Sequence, residues 1–195
     1  YCPYAAQAAD DMIANGMDIA VLEHHVSSSA GGLTNTYSQA RISYYGIGGI
    51  PESFFDGITS VLGGGTGTYN SFVGKYNQRI AVESNFTIAL NGFNDGSDYT
   101  VLVSMENVEP YTGSNIVLQF AVSESGCAYG ADVFNYVTRL LVPGSNGTPL
   151  DFTGSPSQSA LLEFSIDNAW VEDNCEFVAF IQDNTTKEIL QATKV

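Results

Sequence analysis

Three cysteines are the residues of this sequence best suited to chemistry, and their spacing sets one apart from the other two. Cys2 heads the run Cys2-Pro3-Tyr4-Ala5-Ala6-Gln7-Ala8-Ala9-Asp10-Asp11-Met12-Ile13-Ala14-Asn15-Gly16, which reads as a helix with proline at its first position and glycine past its end. A cysteine in that place meets unpaired N–H groups and the positive end of the helix dipole, both of which favour the thiolate that thiol exchange requires. A dithiol cycle also needs a second cysteine to resolve the mixed disulfide, and Cys2 has none in its helix. Cys127 and Cys175 lie far downstream in strand-like sequence. A bridge between them would close a long loop and contribute roughly 4 kcal/mol in the chain-entropy model; the alternative is a pair of buried free thiols. We expect the bridge, with Cys2 left unpaired.

Other candidates carry less. His24 and His25 are adjacent on a predicted strand, so they point to opposite faces and do not share a metal. One is expected to end the buried strand near Cys2 and the other to be solvated. Asn94-Asp95-Gly96-Ser97-Asp98 offers oxygens to Ca²⁺ at Asp95 and Asp98, but no bidentate Glu follows at EF-hand spacing, and a hairpin turn is the expected reading. No cofactor is expected. The sequence has no Gly-x-Ser-x-Gly elbow, phosphate-binding loop or His-Glu-x-x-His, which removes the usual support for hydrolase, nucleotide and zinc-protease activities.

The elements that must position Cys2 follow in order. Asp18 to His25 has the continuous apolar centre of a strand buried on both faces. Ser27 to Leu33 is a small-residue loop, and Thr36-Tyr37-Ser38-Gln39 matches a capping box opening a helix that runs to about Tyr45. Ile50 to Phe55, Asp56-Gly57 and Ile58 to Leu62 read as a hairpin, and Tyr69 to about Glu83 as a third helix. From Asn85 onward apolar and polar residues alternate between turns: Phe86 to Leu90, Tyr99 to Met105, Ile116 to Val122, Tyr136 to Val142, Leu161 to Ile166, Phe177 to Gln182 and Ile189 to Thr193. These seven short strands predict an antiparallel sandwich, with domains at 1–84 and 85–195.

The order helix, strand, helix, proline-led strand, hairpin, helix resembles the thioredoxin fold without its first strand. Cys2 starts the first helix, and Gly49-Ile50-Pro51 stands where that fold carries a cis-proline facing the cysteine. Asn135-Tyr136-Val137-Thr138-Arg139-Leu140-Leu141, Gly147-Thr148-Pro149-Leu150 and Val178-Ala179-Phe180-Ile181-Gln182-Asp183-Asn184 with Glu188-Ile189-Leu190-Gln191-Ala192 resemble the outer membrane protein twenty-eight family. The resemblance implies a secreted or surface-located bacterial protein joining a thioredoxin-like domain to an Ig-like β-sandwich. It implies catalytic roles for Cys2 and Pro51 and a backbone contact to substrate at Ile50. The family's redox motif reads Cys-x-Tyr-Cys-Pro, so Tyr1-Cys2-Pro3 would supply its last three positions, with the first cysteine upstream. Alternatively Cys2-Pro3-Tyr4-Ala5 is a glutaredoxin-like Cys-Pro-Tyr-Cys that has lost its second thiol.

Composition bounds the partners. Six Lys+Arg against 21 Asp+Glu in 195 residues give a formal charge of -15, a field that repels nucleic acid and anionic lipid. No apolar run approaches the ~20 residues of a transmembrane helix, and the chain opens on Tyr1, as expected of a processed chain or a fragment. Acidic, Lys-poor composition points outside the cytoplasm, and the resemblance implies a secreted place or one at the outer membrane or cell surface. In the thioredoxin sheet the absent strand lies between Ile19–Leu22 and Pro51–Phe55, and that slot must be filled by upstream residues or by a strand from elsewhere, such as a neighbouring copy. Two functions follow as expectations. One is a structural or adhesive surface protein, self-assembling with other copies or with surface proteins. The other is an extracytoplasmic thiol-disulfide oxidoreductase whose attacking cysteine precedes Tyr1. A carbohydrate- or peptide-binding module rests on analogy of fold alone.

Overall fold

The computed structural model describes residues 1–26 and 32–195. Its first half holds helices α1 (Cys2–Ala14), α2 (Thr36–Tyr45) and α3 (Thr68–Ile80) around a hairpin of β1 (Glu52–Phe55) and β2 (Thr59–Leu62). Ala5, Ala8 and Met12 fall at helical spacing and bury one face of α1 against Phe72 of α3, with Phe55 and Val61 packed on the same small core. The hairpin turns at Asp56 (φ 47°) and Gly57 (φ 77°), the left-handed pair a tight turn requires. At α2 the expected capping box is not used. Asn35 is the cap, its side chain accepting from Ser38 N at 2.8 Å, while Gln39 donates to Thr34 Oγ1 at 2.8 Å.

The run from Asp18 to His25 departs from expectation. It is not a strand buried on both faces: residues 18–22 join no ladder among the described residues, and Asp18 and Ala20 are exposed while Ile19 and Val21 are half-buried. Glu23 pairs, through a parallel bridge to Val137. Its N–H donates to Tyr136 O at 2.7 Å, and its carbonyl accepts from Thr138 N at 2.9 Å. An apolar run reads as a doubly buried strand only if neighbours pair with it, and here they do not. Residues 27–31 of the expected loop lie outside the described residues.

The second half is mostly β. A three-stranded antiparallel sheet contains β3 (Phe86–Asp95), β4 (Asp98–Asn107) and β10 (Ser157–Ser165), in the order β10-β4-β3. Facing it, β5 (Ile116–Glu124), β8 (Val137–Val142), β11 (Cys175–Asp183) and β12 (Ile189–Lys194) run in the order β12-β11-β5-β8, with β9 (Thr148–Pro149) beside the start of β5. The seven expected strands correspond to β3, β4, β5, β8, β10, β11 and β12. The structure adds β9 and a small hairpin of β6 (Cys127–Tyr129) and β7 (Asp132–Phe134).

All nine residues of β5 are buried. Leu118, Phe120 and Val122 fill the space between the sheets with Val103 and Met105 of β4. The other face of this sheet is covered by the first half. Arg41 of α2, itself buried, lies over the Phe180 ring and donates to Gln182 Oε1 at 2.9 Å and to Tyr45 Oη at 3.0 Å. Gln182 Nε2 donates in turn to Tyr45 Oη and to Lys187 O, so every polar atom of its amide is engaged. Arg79 reaches Asp56 and Glu188 at 2.9 and 2.7 Å, and Ile189 N donates to Asp56 O at 2.8 Å. Gly57 is required here as well: a Cβ would stand 2.1 Å from Lys187 O.

Candidate functional site

Cys2 occupies the first residue of α1 and is exposed. Tyr1 caps the helix without a side-chain bond, and Pro3 needs no N–H partner at that position. The Ile50–Pro51 peptide bond is cis. Pro51 O accepts from Gly63 N at 2.7 Å, and the next residue, Gly64, lies so close to Tyr1 that a Cβ would be 2.5 Å from Tyr1 O and 3.2 Å from Tyr4 Cβ. The glycine loop after β2 therefore ties the proline turn to the head of α1, and brings Cys2, Ile50 and Pro51 to one end of this half. Tyr1, Tyr4, Ile50 and Leu62 are all exposed large apolar side chains at that end. Gly64 and this apolar rim escaped sequence reasoning; the Gly63-Gly64-Gly65 run was the available signal.

The chemistry open to this end is limited by its single thiol. Cys2 can enter a mixed disulfide, and no second cysteine shares its helix to resolve it. Cys127 and Cys175, the pair expected to form a bridge, are free thiols in this structure, Cys127 buried and Cys175 half-buried. Asp95 and Asp98 stand opposite each other at the β3–β4 turn, where Gly96 has φ 61°, and Asp98 accepts from Ser165 Oγ. Among the described residues no three His, Cys, Asp or Glu side chains converge as a metal group would require.

A second feature is the two-stranded sheet beside the same core. Ile19 and Phe55 both pack on the α1–α3 cluster, yet among the described residues β1 pairs only with β2, and residues 18–22 join no ladder. Both faces of β1 are apolar, Phe54 stacked on Tyr45 at 4.6 Å and Phe55 edge-on to Phe72 at 5.2 Å.

The histidines sit at the joint between the halves, and neither is solvated as one was expected to be. His25 is buried with its ring edge-on to Phe134, and its Nε2 lies 3.7 Å from Glu23 Oε1 without a hydrogen bond. Burial, then Arg139, holds its pKa down. His24 is half-buried with Nδ1 shut off from water, and burial, then Arg41 and His25, lowers it to about 3. Burial, then the carboxylate of Asp10, raises Glu23 to about 7.

Comparison with solved structures bears on this architecture. The chain shares its fold with HBP35 of Porphyromonas gingivalis. The superposition has a TM-score of 0.71 at 14% sequence identity and covers 100% of this chain and 70% of HBP35. A domain of the outer membrane lipoprotein Omp28 from the same organism aligns over 58% of this chain and 88% of its own length, with a TM-score of 0.47 at 20% identity. No family model and no curated protein matches the sequence. Among the described residues no helix is long and apolar enough to cross a membrane.

Proposed function

We propose that this chain is a secreted or cell-surface structural and adhesive protein. In its thioredoxin-like first half residues 18–22 and β1 share an apolar core but no ladder, and it self-assembles by taking a strand from another copy between them. The observation that carries this reading is the open slot itself: Ile19 and Phe55 share one apolar core while their backbones share no ladder. Unpaired strand edges recruit strands, because the backbone N–H and C=O groups along them gain partners and apolar side chains on both faces are covered. The acidic, Lys-poor composition supports an extracytoplasmic place, as does the resemblance in sequence described above. The sandwich serves as the rigid body on which the receiving half is mounted.

Sedimentation velocity of the full chain across a wide concentration range tests the proposal. Concentration-dependent association is expected, weakened when proline replaces Ala20 or Val21 and so removes a donor N–H from the receiving segment. A chain that stays monomeric at every concentration overturns it.

A further inference from the structure

Cys127 and Cys175 are brought to one end of the sandwich by a local device. Cys175 opens β11 directly opposite Glu124, the last residue of β5. The chain then turns through Ser125 and Gly126, the latter at φ 75°, and Ser125 N donates to Asn174 O at 3.0 Å. That turn returns Cys127 to the strand end that carries Cys175. Its thiol donates to Glu124 O at 3.4 Å, and the Cys175 thiol donates to Val171 O at 3.6 Å. An ion pair stands beside both cysteines. Glu124 Oε2 accepts from Arg139 at 2.8 Å, Glu124 Oε1 accepts from Val171 N at 2.8 Å, and Arg139 Nη2 lies 3.2 Å from Cys127 Sγ.

We propose that Cys127 and Cys175 are a reversible dithiol–disulfide pair, and that the structure holds its reduced form. The pair is independent of the strand-acceptor reading, since neither residue touches the slot. Both thiols are held up by burial, Cys175 to about 11 with Glu124 contributing next, so neither is a fast nucleophile. Such a pair is set by equilibrium with its surroundings rather than built for turnover. The oxidant is a low-molecular-weight disulfide, RSSR. Cys175 is the less buried thiol; its thiolate attacks one sulfur of RSSR, releasing RS⁻, which takes up a proton. The Cys127 thiolate, beside the Arg139 cation, then attacks the Cys175 sulfur and expels the second RS⁻. Two protein S–H groups and RSSR become one protein disulfide and two RSH. Closing the bridge draws Cys127 out of its contact with Arg139 and ties the β5–β6 turn to the head of β11.

The test uses the full chain carrying Cys2→Ser, which removes the exposed competing thiol. Folded protein is held with oxidised glutathione or with dithiothreitol, then unfolded in alkylating agent and mapped without reduction. The expected result is two alkylated cysteines after dithiothreitol and none after glutathione disulfide. The oxidised sample should be lighter by two hydrogens, contain a linked Cys127–Cys175 peptide, and revert on reduction. Adding Cys127→Ser should leave Cys175 as a glutathione adduct, and should the serine variant fail to fold, Cys175→Ser should leave the adduct on Cys127. Persistence of both alkylatable thiols in the folded, oxidised sample overturns the proposal, as does a pair of stable glutathione adducts with no linked peptide.

Discussion

The two halves of the molecule finish their sheets differently. In the sandwich, β5 is bordered by β11 on one side and by β8 and β9 on the other, and large side chains such as Phe120, Leu118 and Ile181 are sealed between two sheets. In the first half a two-stranded hairpin stands alone, and the buried residues of its core are Ala5, Ala8, Met12 and Phe72. Two of those four are alanines, which carry little apolar area to bury. The first half is therefore held in place by what it leans on: Arg41 on Gln182, Arg79 on Glu188, and Glu23 on β8. The larger core thus carries a half that leans on it, and residues 18–22, which join no ladder among the described residues, and the exposed Cys2 both belong to the leaning half.

The sharpest way to break that comparison is to cut one aromatic from each core. Phe120→Ala should cost about 3–5 kcal/mol, the range for truncating a fully buried phenylalanine, and should lower the whole unfolding transition in urea. Phe72→Ala removes the same group from a small core that can collapse around the loss. It should cost less, and the loss should be local: amides of α1 and α3 lose protection in hydrogen exchange while those of β5 keep theirs. Equal global effects from the two variants would show that the halves unfold as one body.

The docking itself is tested next. Arg41 is buried with no carboxylate partner among the described residues, its charge met by the Tyr44 and Tyr45 rings, the Phe180 ring and the Gln182 amide. Arg41→Ala strands Gln182 Oε1 in a buried site, so a loss of about 2–3 kcal/mol is expected from the urea midpoint at unchanged slope. Arg41→Met restores the packing but not the bond and should recover part of it. A neutral Arg41→Ala would mean that the first half does not lean on the sandwich through this contact.

How far these features can be read from sequence differs between the halves for the same physical reason. Strand alternation in β3, β4 and β10 and the long apolar stretch of β5 are local consequences of a sheet with one or two covered faces, and they located the sandwich within a few residues. The head of α1 was equally plain from Pro3. The Asp18–His25 run was not, because its pattern records what packs against the side chains and says nothing about whether a neighbouring backbone pairs with it. The cap at Asn35 lost to a capping-box match one residue on, since both patterns place a polar side chain before the helix. The short β6–β7 hairpin has too few residues to show a period. Gln182 did carry a signal: an amide at the end of the apolar run Phe177 to Ile181 needs a partner, and that partner is Arg41.

The smallest expected effect concerns protons at the joint. Glu23 has a folded pKa of about 7 against an ordinary 4.5, so the folded chain holds this proton more tightly than the unfolded one. Its contribution to stability is therefore complete below about pH 4.5 and lost as pH rises through about 7. His24 acts in the opposite sense. Its folded pKa, about 3 against 6.5, makes the folded state bind fewer protons, so stability is gained as pH rises from about 3 to 6.5. The two slopes oppose each other between 4.5 and 6.5, and the wild-type curve alone does not separate them. Subtraction does. Glu23→Gln keeps the backbone bridge to Val137 but cannot ionise beside Asp10, so its stability relative to wild type should rise between pH 4.5 and 7 and level off above. Because the Glu23 side chain is 34% exposed, solvent screens much of the burial cost, and a gain of about 1 kcal/mol is expected in urea titrations at pH 5, 6, 7 and 8. A difference between variant and wild type that does not change with pH would mean that the joint carries no such proton, and that Glu23 serves the joint through its backbone bridge to Val137 only.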